Sequence, residues 1–258
     1  MTQRTEQATT PRSVRRVRWW RRPWVLPLAV LTIVFLAFSL PPYLTLDPDR
    51  SRLPLRDEFA AHYPFLLAHI GFGTVALVTS CLQVWPWFRQ RHPAAHRWLG
   101  RAYFFGGVLP GGLAGLVVSV VAVQGVVGRI GNALLATVWL LFSFAGYRMA
   151  RQRRYAEHRR WMVRSFALTT SIVVNRLWLV LGIIALAPLT DTYYGGDEEA
   201  MIQAAAEASI WLSWVVNLLV AEWWLERGRG RRRRPAGESG GTAGTDPVSA
   251  PAPASSPA

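Results

Sequence analysis

The apolar residues of this chain fall in blocks of about twenty, the helical length that crosses a hydrocarbon core of roughly 30 Å. No other feature limits the fold as much. The blocks lie at 24–44, 64–88, 102–124, 131–149, 161–188 and 207–225. Inside a bilayer every backbone N–H and C=O must find its partner within the protein, which blocks of this length achieve as helices. The expected fold is an all-α polytopic membrane protein, a bundle of about six transmembrane helices.

Charge placement orients the bundle. All 29 basic residues are Arg, and the formal net charge is +14. Seven Arg precede the first block, four lie in 89–101, seven in 148–164 and six after the last block. The alternate connections hold only Arg50, Arg52, Arg56 and Arg129, and most of the acid: Asp47, Asp49, Asp57, Glu58, Asp191, Asp197, Glu198 and Glu199. Arginines near span ends stay on the cytoplasmic side, so both termini are expected there. RSVRRVRWWRR (12–22) and RGRGRRRR (227–234) flank spans directly, which suits anionic lipid headgroups rather than nucleic acid. Trp19, Trp20, Trp24, Trp85, Trp87, Trp223 and Trp224 near span ends suit an aromatic belt.

The expected layout is a basic cytoplasmic segment at 1–23, a transmembrane domain at 24–226, and a basic then disordered cytoplasmic tail at 227–258. The tail's Pro, Ala, Gly and Ser offer little apolar surface to bury. Ala37-Phe38-Ser39 imitates a signal-peptidase site, but the apolar run is long for a signal and Pro41-Pro42 follows closely. The single cysteine, Cys81, gives neither a disulfide framework nor a cysteine metal site.

Ionisable and polar groups at membrane depth are costly, so each is a candidate for function. His62, His69, Ala76 and Gln83, with Gly73 and Ser80, form one stripe that should face other helices. Arg176, Asn175 and Asn217 come to a depth similar to that of His69. Two readings stay open for this cluster of His69, Gln83, Asn175, Arg176 and Asn217: a self-satisfied network that fixes helix register, or an outer-half ligand cavity. Gly107, Gly111 and Gly115 permit close helix packing or leave room for a flat ligand, and Pro110 predicts a kink.

The cytoplasmic rim is richest. RQRHPAAHRWLGRAY puts His96, Gly100 and Tyr103 on one helical face and Arg97 and Arg101 beside it. His92 and His96 have metal-pair spacing, but Pro93 interrupts the helix that would join them. AEHRRWMVRS (156–165) opens the fifth block, where His158, Met162, Ser165, Thr169, Ile172 and Arg176 share a face. Arg159, Arg160, Arg164 and Trp161 suffice to anchor that end, and His158 is the surplus residue. Its expected partner is His96, across a site lined by Tyr103, Met162 and Ser165 with Arg97, Arg101 and Arg164 near it.

HRWLGRAY (96–103) and EHRRWMVRSFALT (157–169), followed by an intramembrane Arg, resemble an uncharacterised family of bacterial membrane proteins, domain of unknown function 2306. The matching positions are His69, Gln83, His96, Arg97, Gly100, Arg101, Tyr103, His158, Trp161, Met162, Arg164, Ser165 and Arg176, within about 60–185. The resemblance implies a multi-pass protein of the bacterial cytoplasmic membrane and supplies no reaction.

Three functions remain from the sequence. His96 and His158 would hold one b-type haem, or part of a quinone site, with the glycine row against a porphyrin face and rim Arg on its propionates. Only His69 is deep in the outer half, so two-haem electron transfer across the membrane is not supported. The second function is binding or transport of an anionic or amphipathic small molecule by the rim Arg. The third is a structural or accessory role, with Glu157, Glu222 and Glu226 answering the Arg. No His-Glu-x-x-His, Gly-x-Ser-x-Gly or Walker loop points to an enzyme.

Overall fold

The computed structural model describes residues 24–233, with side chains as far as Arg227. The basic segment at 1–23 and the tail past 233 lie outside the described residues. Helix α1 spans Val25–Ser39, α2 Pro41–Leu44, α3 His62–Val84, α4 Pro86–Arg91, α5 Pro93–Tyr103, α6 Leu109–Val121, α7 Val126–Arg151, α8 Tyr155–Thr169, α9 Ser171–Leu186, α10 Thr190–Tyr193 and α11 Glu198–Arg233. The chain is an all-α polytopic membrane protein. One body runs through Glu222, and the end of α11 from Trp223 is a second unit, in which Arg227 lies 4.4 Å over the Trp223 ring.

The sequence led us to expect six spans. Among the described residues, five stretches are long and apolar enough to cross a membrane: His62–Val84, Pro93–Val121, Val126–Arg151, Ser171–Tyr193 and Glu198–Arg227. The first block instead gives the 15-residue α1, which stops at Ser39. Pro41 and Pro42 have no N–H to donate to the preceding turn, so the helix cannot run on through them.

The fifth block also departs from one continuous helix. It breaks between α8 and α9, at Thr170. Three successive hydroxyl residues stand there, and each bonds back to a carbonyl: Thr169 to Ser165 at 2.8 Å, Thr170 to Phe166 at 3.0 Å and Ser171 to Leu168 at 2.6 Å. Hydroxyls that compete for backbone carbonyls bend helices. The face that starts at His158 therefore ends at Thr169, and Ile172 and Arg176 are exposed rather than aligned with it.

The expected kink near Pro110 is a π-helical turn over Phe104–Val108, joining α5 to α6. Pro110 cannot donate the ordinary bond to Gly106, and Leu109 N–H reaches back to Phe104 instead. The turn offsets the two halves, so Tyr103 faces α8 while Gly107 faces α3. The glycine row then seats α6 against α3. A Cβ at Gly107 would lie 2.9 Å from the Ala76 backbone, at Gly111 3.2 Å from Phe72, and at Gly115 2.7 Å from the His69 ring. The core cluster lies beside this seam and comprises Ala76, Tyr103, Phe104, Val108, Trp139 and Leu168.

Candidate functional site

At the Arg-rich end of the bundle His96 and His158 lie near enough for charge on one to act on the other. His158 is among the charged or titratable neighbours that act on His96, with Arg89 and Arg97. The His158 ring is held by α7: its Nδ1 lies 2.8 Å from the Gly146 carbonyl. A carbonyl only accepts, so Nδ1 carries the proton and Nε2 keeps its lone pair for an outside partner. His96 is held differently. Its backbone carbonyl accepts from Gln83 Nε2 at 2.7 Å, while its own Nδ1 is buried with no hydrogen-bond partner among the described residues. A buried N–H without an acceptor is the more costly arrangement, which favours the tautomer with the His96 proton on Nε2. One imidazole presents an acceptor and the other a donor.

Tyr103 and Ser165 sit beneath this pair in a closed knot. The Tyr103 hydroxyl is 2.5 Å from Ser165 Oγ and 2.7 Å from Thr169 Oγ1; Ser143 Oγ is 2.6 Å from Ser165 Oγ, and Trp139 Nε1 donates to Thr169 Oγ1 at 2.9 Å. Tyr103 is 2% exposed and Ser165 0%, so they support the pair from below and do not line an open cavity. Met162 lies over Gly146, where a Cβ would meet its sulfur at 2.6 Å. Tyr103→Phe leaves the Ser165 and Thr169 hydroxyls short of a partner, at a cost of about 1–3 kcal/mol. The expected result is a fall in unfolding temperature of roughly 2–10 °C, read by tryptophan fluorescence in detergent.

Apart from Arg97, which neighbours His96, the other expected site residues have settings of their own. Arg97 and Arg101 are exposed, and Arg101 lies 5.4 Å over the Trp98 ring. Arg164 faces the other side of α8 and forms a two-pronged ion pair with Glu222, with Nη2 at 2.8 Å from Oε2. The intramembrane cluster divides among separate partners. His69 Nδ1 bonds the Gly111 carbonyl at 2.8 Å, Gln83 holds His96, Asn175 donates to Ser209 at 2.9 Å, Asn217 donates to the Ala167 carbonyl at 3.0 Å, and Arg176 points outward.

The glycine row that might have faced a porphyrin is covered along its length by α3. Sequence reasoning missed Trp139, Ser143 and Gly146 of α7, the residues that anchor the knot and orient His158. They stand at i, i+4 and i+7, so a helical stripe was there to be read.

No curated protein and no solved structure matches this sequence. A family model described as predicted membrane protein (DUF2306) matches residues 66–225, which takes in both His motifs, the knot and Glu222. The chain belongs to that family.

Proposed function

We propose that the His96/His158 pair is a small-molecule site at the cytoplasmic rim of the bundle, and that its occupant is the headgroup of a membrane quinone. The observation that carries this reading is that His158 Nδ1 is tied to the Gly146 carbonyl while His96 Nδ1 is buried without a partner among the described residues, which favours opposite roles for the two Nε2 atoms. His158, with Nδ1 tied to Gly146, offers Nε2 as an acceptor; His96 offers Nε2–H as a donor. A quinone carbonyl accepts from the donor ring, and a quinol hydroxyl donates to the acceptor ring, so the pair holds either form by one hydrogen bond or more.

Optical spectra separate quinone from haem. The protein, purified in mild detergent from cells replete in both, is recorded oxidised and again after reduction by borohydride. The expected result is loss of the ultraviolet quinone absorbance without a Soret band or reduced α and β bands. Sharp haem bands that vanish in His158→Ala would replace quinone by haem as the occupant.

A further inference from the structure

Helix α5 carries a second face, turned away from the histidine pair. His96, Gly100 and Tyr103 look inward, the glycine against Gln83 and the tyrosine into the knot. Arg97, Trp98 and Arg101, at i, i+1 and i+4, are exposed. Two guanidiniums one turn apart are near enough to share a phosphate, their Cβ atoms being about 5–6 Å apart. That of Arg101 lies 5.4 Å over the Trp98 ring, and stacking engages its face while the N–H groups on its edge stay directed outward. Arg89 of α4 adds to the positive charge here, since its charge reaches His96 as that of Arg97 does. The stretch 86–108 contains no Asp or Glu, and neither Arg97 nor Arg101 pairs with a carboxylate among the described residues.

Trp98 is 69% exposed, so the bundle itself buries little of the largest apolar side chain on this face. A Trp at the end of a span sits at the level of lipid headgroups. A turn beyond Arg101 the face becomes apolar: Phe105 and then Leu109 are exposed, and the Tyr147 ring of α7 stands 5.1 Å from that of Phe105. From the rim inward the order is positive, aromatic, apolar, which is the order of phosphate, glycerol and acyl chain in a phospholipid. We propose that this face holds one anionic phospholipid, its phosphodiester on Arg97 and Arg101 and its acyl chains along Phe105 and Leu109. Trp98 lies at the level of the glycerol. Net charge makes the selection. A glycerol headgroup leaves the phosphate charge uncompensated, whereas a choline headgroup brings a cation of its own into a site already crowded with guanidinium.

The test is native mass spectrometry of the full chain in detergent, titrated with phosphatidylglycerol and phosphatidylcholine of matched acyl chains, and with glycerol 3-phosphate. The first phosphatidylglycerol to bind wild-type protein is expected to bind more tightly than the first phosphatidylcholine. An Arg near an anionic headgroup contributes about fivefold, so the double variant Arg97→Gln, Arg101→Gln should weaken that phosphatidylglycerol by about 30-fold. The double variant Arg151→Gln, Arg153→Gln removes the same charge from exposed positions at the same end of the bundle, and should leave it within about threefold of wild type. His158→Ala should leave both lipids as they are. The proposal fails if the two lipids bind wild-type protein alike, a result that needs no variant to fold. It also fails if the two double variants, both unfolding at the wild-type temperature, lose phosphatidylglycerol equally, since net charge alone would then account for the attraction. Glycerol 3-phosphate binding as tightly as phosphatidylglycerol would overturn presentation by a membrane.

Discussion

Gly107→Leu is expected to leave almost no folded protein in the membrane fraction. Even a single added carbon at Gly107 lies 2.9 Å from N, Cα and Cβ of Ala76, which is fully buried. These are backbone and near-backbone atoms of α3 and cannot rotate away. Overpacking of this kind costs about 1–3 kcal/mol for small insertions, and the isobutyl group of Leu adds to it. The only relief is to part α3 from α6, and that separates the His69–Gly111 bond and the contact of Gly111 with Phe72. Against a stability of about 5–15 kcal/mol typical of folded proteins, the combined loss is large. The neighbouring glycine supplies the control. A Cβ at Gly106 meets nothing within 4 Å, so Gly106→Ala should accumulate and unfold as wild type does. Size-exclusion profiles of fluorescent-tagged variants would show the difference. A monodisperse Gly107→Leu peak at wild-type height would mean that α3 and α6 do not meet along this row.

His158→Ala is expected to have the second largest effect, on ligand retention rather than on folding. The side chain supplies the acceptor nitrogen, and its removal also leaves the Gly146 carbonyl without its donor. Loss of one well-made hydrogen bond in a confined site costs about 1–3 kcal/mol, or roughly 5- to 150-fold in affinity. Ser165 and Thr169 stand about two and three turns further along α8 and are bonded with Tyr103 and Ser143 independently of His158, so the variant should still fold. His158→Gln restores a side-chain acceptor on a longer, softer arm, and partial recovery is the expected result. Equal quinone affinity in wild type and His158→Ala, measured by titration of the delipidated proteins, would remove this residue from the site.

Much of this architecture is legible in the sequence because the bilayer forces it there. Blocks of twenty apolar residues, the glycine row and the stripe through His62, Ala76 and Ser80 follow from the need to satisfy backbone and pack helices without water. That His96 and His158 share the Arg-rich end was likewise legible, since each stands in the first turn of a helix there. The helix break at Thr170 was less so. Its cause, three adjacent hydroxyl side chains, stands plainly at 169–171, but whether such residues bond back or outward depends on what surrounds them. The same dependence on tertiary setting scattered the intramembrane polar residues. Depth alone placed Asn175, Arg176 and Asn217 together, whereas the rotation of α9 beyond the break sends Asn175 to Ser209 and Arg176 outward. The role of α7 was hidden for a different reason. Trp139, Ser143 and Gly146 are individually ordinary in a membrane helix and become informative only against α8.

The central claim is that the two histidines act as one donor–acceptor site for a quinone headgroup. The measurement that tests it most directly is the quinone content of detergent-purified protein, extracted and quantified per chain, for wild type, His96→Ala and His158→Ala. About one quinone per wild-type chain and little in either variant, with all three folded, is the outcome predicted from two rings that each supply one hydrogen bond. Equal content in all three, or none in wild-type protein from quinone-replete membranes, would contradict it.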